Sequence, residues 1–340
     1  MERVAKKNII LADCEKEEVE DLKKGFEKIV NEKFQIYNKI CNLKRSNINE
    51  IKRYLIYIFY PLKFFLRRKH YKYIIGWQQF FAIFFVFWCE LFHVKKVNIV
   101  ISMNFTYKAK KGILGKIYKN IMYKIVRSKY LDYIHILNQN YANELSKEFD
   151  VNINKFIVEP FGILDYYKLF NVKKENEQNF ALSIGRSNRD YDFLINAWKN
   201  IKNLDLVIIC DQMSYKGQIP DNVKIISNVT GDKQYCYFIN AKMCIIPIKQ
   251  GNICSGDTVV LKSMCFKKIT IVTENSTLAE NYIRDGINGY TISKKEGEFE
   301  RKLNKILNSN NSLISENARN DFLNKYTREK MGENVAKKII

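Results

Sequence analysis

The second half of the chain alternates between short β-rich runs and stretches with helical spacing. The runs cover residues 180–184, 204–210, 223–227, 243–248 and 269–273. Such alternation is typical of parallel βαβ units, because a parallel crossover needs a helix to return the chain. The pattern therefore predicts a doubly wound α/β sheet, in which ligands bind beyond the carboxyl ends of the strands.

The first half shows the same alternation less clearly. Strand candidates are residues 8–12, 34–36, 73–75, 97–103 and 133–137, and helix candidates are 49–68 and 77–92. A chain of 340 residues is too long for one ordinary core. We expect two α/β domains, 1–157 and 158–340, with the last helix free to pack back on the first. Pro160 and Gly162 mark the crossover between them.

Positive charge is concentrated in the first half of the chain. Residues 51–129 contain 17 Lys and Arg against one acid, Glu90, which gives +16 of the total +21. A segment of this sign favours an anionic surface, and the candidates are phospholipid headgroups, a phosphorylated lipid or nucleic acid. A solvated basic face without a partner is the alternative.

No segment predicts secretion or a membrane span. The most apolar stretch, residues 80–92, is shorter than the ~20 residues that a spanning helix needs, and the N-terminus carries no secretory signal. The eight cysteines include no CxxC pair. We therefore expect reduced thiols in a cytoplasmic protein and no metal site.

Two loops carry residues suited to binding phosphate. In the first, Gly185 follows a strand, and Arg186 and Arg189 stand before the next helix. Two guanidinium groups near a helix N-terminus would pair with a diphosphate. A solvent-exposed pair of arginines is the alternative.

The second loop precedes an apolar-periodic helix that runs to Met264. It contains Ser255, Gly256, Asp257 and Thr258. We expect Ser255 or Asp257 to cap the helix and leave backbone N–H groups for phosphate oxygens. An ordinary capped helix packed on a sheet is the alternative. The later cluster RDGINGY, residues 284–290, indicates only a loop.

These segments resemble a known family when they are taken in order. Together they resemble the nucleotide-binding domain of family 4 glycosyltransferases. The segments are VEPFGI, SIGRSNRDYDFLINAW, NVKIISNVTGDKQYCYFINAKMCIIPIKQG, SGDTVVLKSMCFKKITIVTE and YIRDGINGYTI. The resemblance runs from Val158 to near the C-terminus. Less specifically, KYIIGWQQFFAIFF resembles bacterial members that build surface polysaccharides. The resemblance implies a GT-B fold, with two Rossmann-like domains facing a central cleft.

The resemblance also implies roles for single residues. Gly185 and Arg186 match the family's Gly-Arg loop, which holds the donor diphosphate. Tyr191 stands where the family often has a lysine, and Arg189 is the nearest cation. The family's two glutamates, which contact the transferred sugar and the ribose, fall on Cys254 and Lys262. A lysine cannot accept a hydrogen bond from the ribose hydroxyls. Either a nearby acid such as Asp257 replaces the missing carboxylate, or the donor is held mainly through its phosphates, its base and backbone contacts.

The implied function is a retaining, metal-independent, hexosyltransferase-like glycosyltransferase of surface polysaccharide or glycolipid synthesis. Its donor would be a UDP or GDP sugar and its acceptor a glycan or lipid-linked molecule. We expect no cofactor, and no catalytic residue is assigned. We place Trp77, Gln78 and Gln79 on the acceptor side, with core packing as the alternative. A peripheral position on the inner face of the cell membrane follows from the basic segment.

Two other classes of function compete with this one. A basic nucleic-acid-binding or membrane-binding protein with an inactive GT-B fold would also explain the charge. However, the lysines are interleaved with aliphatic and aromatic runs, and no nucleic-acid module is recognised, so we expect a membrane surface and no nucleic acid. A Rossmann dehydrogenase is disfavoured because no GxGxxG follows a strand.

Overall fold

A computed structural model describes residues 6–40, 47–172, 177–251, 255–295 and 297–340. The chain divides into two compact units. Unit 1 comprises Met1–Leu164 with Arg328–Ile340, and unit 2 comprises Asp165–Thr327.

Unit 1 is built on a six-stranded parallel sheet. Its strands are β1 (Lys7–Ala12), β2 (Phe34–Asn38), β3 (Tyr71–Gly76), β4 (Ile99–Ser102), β5 (Tyr133–Ile136) and β6 (Phe156–Val158). Their order is β2-β1-β3-β4-β5-β6. The order reverses between β1 and β3, so the crevice beyond their carboxyl ends is the place where such a sheet binds ligands.

Helices cover both faces of this sheet. They are α1 (Glu17–Val30), α2 (Asn47–Phe59), α3 (Leu62–Leu66), α4 (Gln79–Leu91), α5 (Gly112–Arg127), α6 (Gln139–Phe149) and the C-terminal α14 (Arg328–Lys337). The helix expected over 49–68 is interrupted at Pro61, because proline supplies no N–H to the helix ladder.

The C-terminal helix α14 packs on α1 through two glycines. A Cβ on Gly25 would collide with the backbone carbonyl of Glu329, and a Cβ on Gly332 with that of Leu22. The missing side chains therefore allow the two backbones to touch. Lys28 on α1 also pairs with Glu333 at 2.7 Å. These contacts make α14 part of unit 1.

Unit 2 contains a second six-stranded parallel sheet. Its strands are β7 (Phe180–Ile184), β8 (Asp205–Ile209), β9 (Val223–Ile226), β10 (Met243–Ile246), β11 (Ile269–Thr273) and β12 (Tyr290–Ile292). They lie in the order β12-β11-β10-β7-β8-β9, which is the dinucleotide-binding order. The strand order reverses between β7 and β10, which makes their carboxyl ends the expected ligand site.

The helices of unit 2 connect these strands. They are α7 (Tyr166–Leu169), α8 (Tyr191–Trp198), α9 (Lys233–Asn240), α10 (Asp257–Cys265), α11 (Thr277–Tyr282), α12 (Glu298–Leu307) and α13 (Ser312–Asp321), followed by a π-helical turn at Phe322–Tyr326. Trp198 on α8 and Phe299 on α12 are fully buried, with ring centroids 6.3 Å apart. Burial of such rings dominates the energy of a core.

The predicted fold class, two parallel α/β domains, is confirmed, and each of the ten predicted strands is present. Two strands were missed. Both β6 and β12 have only three residues, which is too short for a periodic pattern. The last of them begins at Tyr290, inside the cluster from which we expected only a loop.

Candidate functional site

The two predicted phosphate loops lie side by side in unit 2. The first follows Ile184 at the end of β7, and the second leads from β10 into α10; the two strands are hydrogen-bonded neighbours. Side chains join the loops. Asn188 donates to the carbonyl of Gln250 and accepts from its N–H, both at 2.9 Å, and Ser255 Oγ donates to the carbonyl of Ser187 at 3.1 Å. Both loops therefore stand at the point where the strand order reverses.

The guanidinium of Arg189 lies between the two loops. A Cβ built on Gly185 would lie 3.0 Å from Arg189 Nη2, and a Cβ on Gly256 would lie 2.9 Å from the same atom. Nη1 donates to the carbonyl of Ser187 at 2.9 Å. Burial lowers the pKa of Arg189 from its ordinary value, but a guanidinium keeps its charge in proteins. The site therefore contains a fixed cation held by carbonyl groups.

Both glycines also adopt backbone conformations that other residues rarely adopt. The φ angle is +125° at Gly185 and +114° at Gly256. Glycine reaches these angles without steric cost because it has no Cβ. Glycine is therefore required at both positions, by the shape of each loop and by the close contact with the Arg189 side chain.

The predicted cap of α10 was wrong. The residue at the N-cap is Gly256, which has no side chain that could cap the helix. Ser255 instead donates to Ser187, and the Asp257 carboxylate accepts from the hydroxyl of Tyr282 at 2.9 Å. Glycine is tolerated at this position, though less favourable than serine or aspartate. Thr258 is exposed in the first turn.

Arg186 differs from Arg189 in its surroundings. Its side chain is exposed and forms no hydrogen bond or ion pair with any residue in the described ranges. It borders a cavity of about 180 Å³ at the carboxyl edge of the sheet. The cavity is lined by Ile184, Gly185, Arg186, Ile209, Cys210, Asp211, Val229, Gln234, Phe238, Thr258, Val259 and Lys262. A larger cavity of about 640 Å³ lies away from the predicted loops, near the amino ends of β7 and β8.

Lys262 lines the cavity of about 180 Å³ that Arg186 also borders. Its Nζ lies 3.4 Å from Gln234 Oε1 and 5.0 Å from the centroid of the Tyr235 ring. Burial lowers the pKa of Lys262 below its ordinary value. It forms no ion pair with any described residue, Asp257 included. Cys254, which stands at the position of the family's other glutamate, lies outside the described residues.

Several residues of the site were not found from the sequence. Asp211 lies two residues after the end of β8 and lines the cavity, so its position after a buried strand was an available signal. Gln234 and Tyr235 come from α9, and no local pattern connects them with Lys262. Tyr191, at the position of the family lysine, donates its hydroxyl to the carbonyl of Gly185 and so supports the loop.

The residues expected on the acceptor side follow β3 in unit 1. The Trp77 ring lies 4.8 Å from the Arg328 guanidinium carbon. Gln78 caps α4 and donates to Asp13 Oδ2 at 2.8 Å, and Gln79 bonds to Thr106. Each side chain thus has a partner inside unit 1, beside the point where the strand order reverses.

Among the residues with described positions, no group of three His, Cys, Asp or Glu side chains could hold a metal ion.

Comparisons with known proteins bear on the family and the fold of the chain. Residues 168–330 match the family model described as Glycosyl transferases group 1. No curated protein matches the chain by sequence.

Solved structures match nearly the whole chain at low identity. HepE from Anabaena, in complex with UDP and glucose, is 10% identical, with a TM-score of 0.59 over 97% of this chain and 98% of that one. A glycosyltransferase from Rickettsia africae is 13% identical, with a TM-score of 0.60 and 97% coverage of both chains. Sucrose-phosphate synthase from Thermosynechococcus elongatus is 11% identical, with a TM-score of 0.62 and 98% coverage of both. At such identity the likeness shows the fold, and this fold is GT-B.

Proposed function

We propose that this chain, whose residues 168–330 match the family model of the group 1 glycosyl transferases, transfers a hexose from a nucleoside diphosphate sugar to a glycan or lipid-linked acceptor. The observation that carries the proposal is the meeting of two loops around Arg189 at the carboxyl edge of the sheet in unit 2. Open α/β sheets bind nucleotides at this position.

The charges of the site fit a diphosphate. Arg189 supplies a fixed cation between the loops, Arg186 stands exposed beside them, and Lys262 faces the adjoining cavity. The start of α10, with Gly256 at the N-cap, adds the positive end of a helix dipole. Three cations and a helix N-terminus are strongly favourable for a group that carries several negative charges.

We further propose a UDP or GDP sugar as the donor. The structures of HepE contain UDP, UDP-glucose, or UDP with glucose, which makes UDP the first nucleotide to test. In place of the family's ribose-binding glutamate, Lys262 would contact a donor phosphate, because an ammonium donates hydrogen bonds and accepts none.

The proposed chemistry is the retaining transfer that the family resemblance implies. The bond between the anomeric carbon and the diphosphate oxygen breaks, and the acceptor hydroxyl oxygen forms a bond to the same carbon on the same face, with retention. The O–H bond of the acceptor breaks as well, and its proton passes to the departing diphosphate. Arg186 and Arg189 would stabilise the negative charge that develops on the departing diphosphate, so no metal is required. We assign no catalytic base.

The proposed role is in surface polysaccharide or glycolipid synthesis. Trp77, Gln78 and Gln79 are proposed for the acceptor side, since they follow β3 at the carboxyl edge of the sheet in unit 1. Their internal partners would then position them, as the bond from Gln78 to Asp13 does.

The experiment is to incubate the full chain with separate UDP and GDP hexoses and to measure the released nucleoside diphosphate. Release of UDP or GDP from one donor, equal with and without a metal chelator, is expected. Because sugar transfer to water is slow, candidate glycans and lipid-linked sugars are added as acceptors. Absence of release from every donor, in a chain that melts cooperatively, would contradict the proposal.

A further inference from the structure

Helix α2 exposes large apolar side chains on the side that faces away from the core. Ile48, Ile51, Leu55 and Phe59 are 68%, 61%, 49% and 54% exposed. They recur at spacings of three or four residues and therefore share one face. Tyr57 on the opposite face is buried. A helix that is apolar on its core side and also on its outer side has an unpartnered surface.

The apolar surface continues beyond α2. The Phe59 ring lies 6.3 Å from Trp88 on α4, and Trp88 lies 6.3 Å from Phe92. Phe92 in turn stacks at 5.5 Å on Phe65, next to Leu66, which is 70% exposed. We call this surface the apolar face and define it by Ile48, Ile51, Leu55, Phe59, Leu66 and Phe92.

Cations accompany the apolar face on the same elements. Lys52 lies on α2, Lys63 lies on α3 and Arg67 directly after it. Lys69 lies in the 3-10 turn before β3, and Lys95 lies in the loop after α4. All five side chains are exposed, and none forms an ion pair with another described residue. Elsewhere in the segment 51–129, four cations pair with carboxylates, at Lys72, Lys96, Lys119 and Arg127. Five cations without an ion pair to a described residue thus lie on the elements that carry the apolar face, or close to them in sequence.

We infer that the apolar face docks on an anionic lipid bilayer, with α2 lying in the interfacial plane. Its aliphatic and aromatic side chains would enter the acyl boundary while the cations meet the headgroups. None of the described helices is long and apolar enough to cross a bilayer. Docking through the apolar face would hold the chain on the surface of the bilayer, whatever reaction it performs.

Two other occupants fit the surface less well. A second copy of the chain would bring the same positive segment against this one, and like charges repel. Nucleic acid would satisfy the cations but would leave four aliphatic side chains against a polar backbone. Only an anionic bilayer provides both negative charge and an apolar phase.

The test is sedimentation of the full chain with vesicles of phosphatidylcholine alone or mixed with phosphatidylglycerol. We expect binding only to the anionic vesicles, and weaker binding as salt rises from about 0.1 to about 1 M, which shortens the Debye length from ~10 to ~3 Å. Ile51→Asn with Leu55→Asn should lower vesicle partitioning at least tenfold. Lys52→Gln with Lys69→Gln and Lys95→Gln should lower it by about fivefold for each charge removed.

Leu313→Asn serves as the matched control, because Leu313 is 70% exposed on α13 in unit 2. It should change nothing, and the melting temperatures of all variants should agree, since every changed side chain is exposed. Equal binding to neutral vesicles, or unchanged partitioning of the Ile51 and Leu55 variant, would overturn the inference. So would tighter binding to duplex DNA, or a dimer in solution that the same variant dissolves.

Discussion

Ser255 Oγ donates a hydrogen bond of 3.1 Å to the backbone carbonyl of Ser187. This bond links the loop after β7 with the loop before α10, residues that are far apart in sequence. Arg189 and the two positive-φ glycines lie beside it. Contacts within the chain therefore hold the two loops together, and such preorganisation would lower the entropic cost of binding a ligand there.

The fit of Gly256 around Arg189 can be tested by adding one methyl group. In Gly256→Ala, the new Cβ would lie 2.9 Å from Arg189 Nη2 and 3.0 Å from Leu278 Cδ2, at a φ of +114°. We expect a loss of about 2 to 4 kcal/mol in unfolding free energy, from backbone strain and overpacking together, and weaker nucleotide binding.

Gly231→Ala is the control for backbone strain alone. Its φ is +60° and nothing lies within 4 Å of the added Cβ, so only about 1 to 2 kcal/mol should be lost. Urea denaturation and calorimetry measure both quantities. If Gly256→Ala bound nucleotide as tightly as the unchanged chain, Arg189 would not act through this contact.

Lys262 is expected to contact a donor phosphate. Lys262→Glu should weaken the binding of a nucleoside diphosphate by about 1 to 3 kcal/mol, because a charge-assisted bond is replaced by repulsion. Lys242→Glu, just before β10 at the opposite edge of the sheet, should have little effect. Stronger binding by the Lys262 variant would mean that the site still requires the family's carboxylate.

The lowered pKa of Lys262 gives a second readout. A bound phosphate favours the charged ammonium, so affinity should fall as the pH rises through the pKa of Lys262, which lies below its ordinary value. Lys262→Met should remove this part of the pH dependence in calorimetric titrations. An identical pH profile for both chains would exclude a direct contact between Lys262 and phosphate.

His135 makes unit 1 sensitive to acid. Its Nδ1 accepts from the N–H of Asn104 at 3.0 Å, and its Nε2 donates to the carbonyl of Glu159 at 2.9 Å. This pairing fixes the neutral ring, and burial lowers the pKa of His135 to about 4, against about 6.5 in an unfolded chain. Between these values the unfolded chain binds more protons, so stability falls as the pH falls.

We expect about 3 kcal/mol of unfolding free energy to be lost between about pH 7 and pH 4 through this one residue. His135→Gln should flatten the acid side of the stability profile, although its stability at neutral pH will also fall. His70→Gln, at an exposed position, should leave the profile unchanged. A profile that keeps its slope without His135 would assign the acid sensitivity to carboxylates.

The sequence predicted much of the fold because parallel strands buried on both faces form continuous apolar runs. All five residues of β7, for example, are buried. A strand that is followed by a glycine and a cationic residue also indicates a loop at the carboxyl edge of the sheet. Gly185 and Arg186, which follow β7, were found in this way. The three-residue β6 and β12 could not be found, since their pairing depends on neighbours distant in sequence.

The details of the site depend on contacts that local patterns do not encode. Ser255 and Asp257 are both residue types that cap helices. Their side chains instead form hydrogen bonds with Ser187 and Tyr282. Likewise, Lys262 meets Gln234 and Tyr235 from a separate helix. Propensity selects the candidates in such cases, and tertiary packing decides between them.

Binding of a nucleoside diphosphate at Arg186 tests the central claim most directly. Isothermal titration of UDP, and then GDP, into the full chain should show one site for at least one of them. Arg186→Ala should weaken it by about 1 to 3 kcal/mol without changing the melting temperature, because Arg186 is exposed and has no partner among the described residues. Lys305→Ala, which removes an exposed cation from α12, should bind like the unchanged chain. Equal affinity for Arg186→Ala and the unchanged chain, or no binding of either nucleotide, would contradict a donor diphosphate site at this loop.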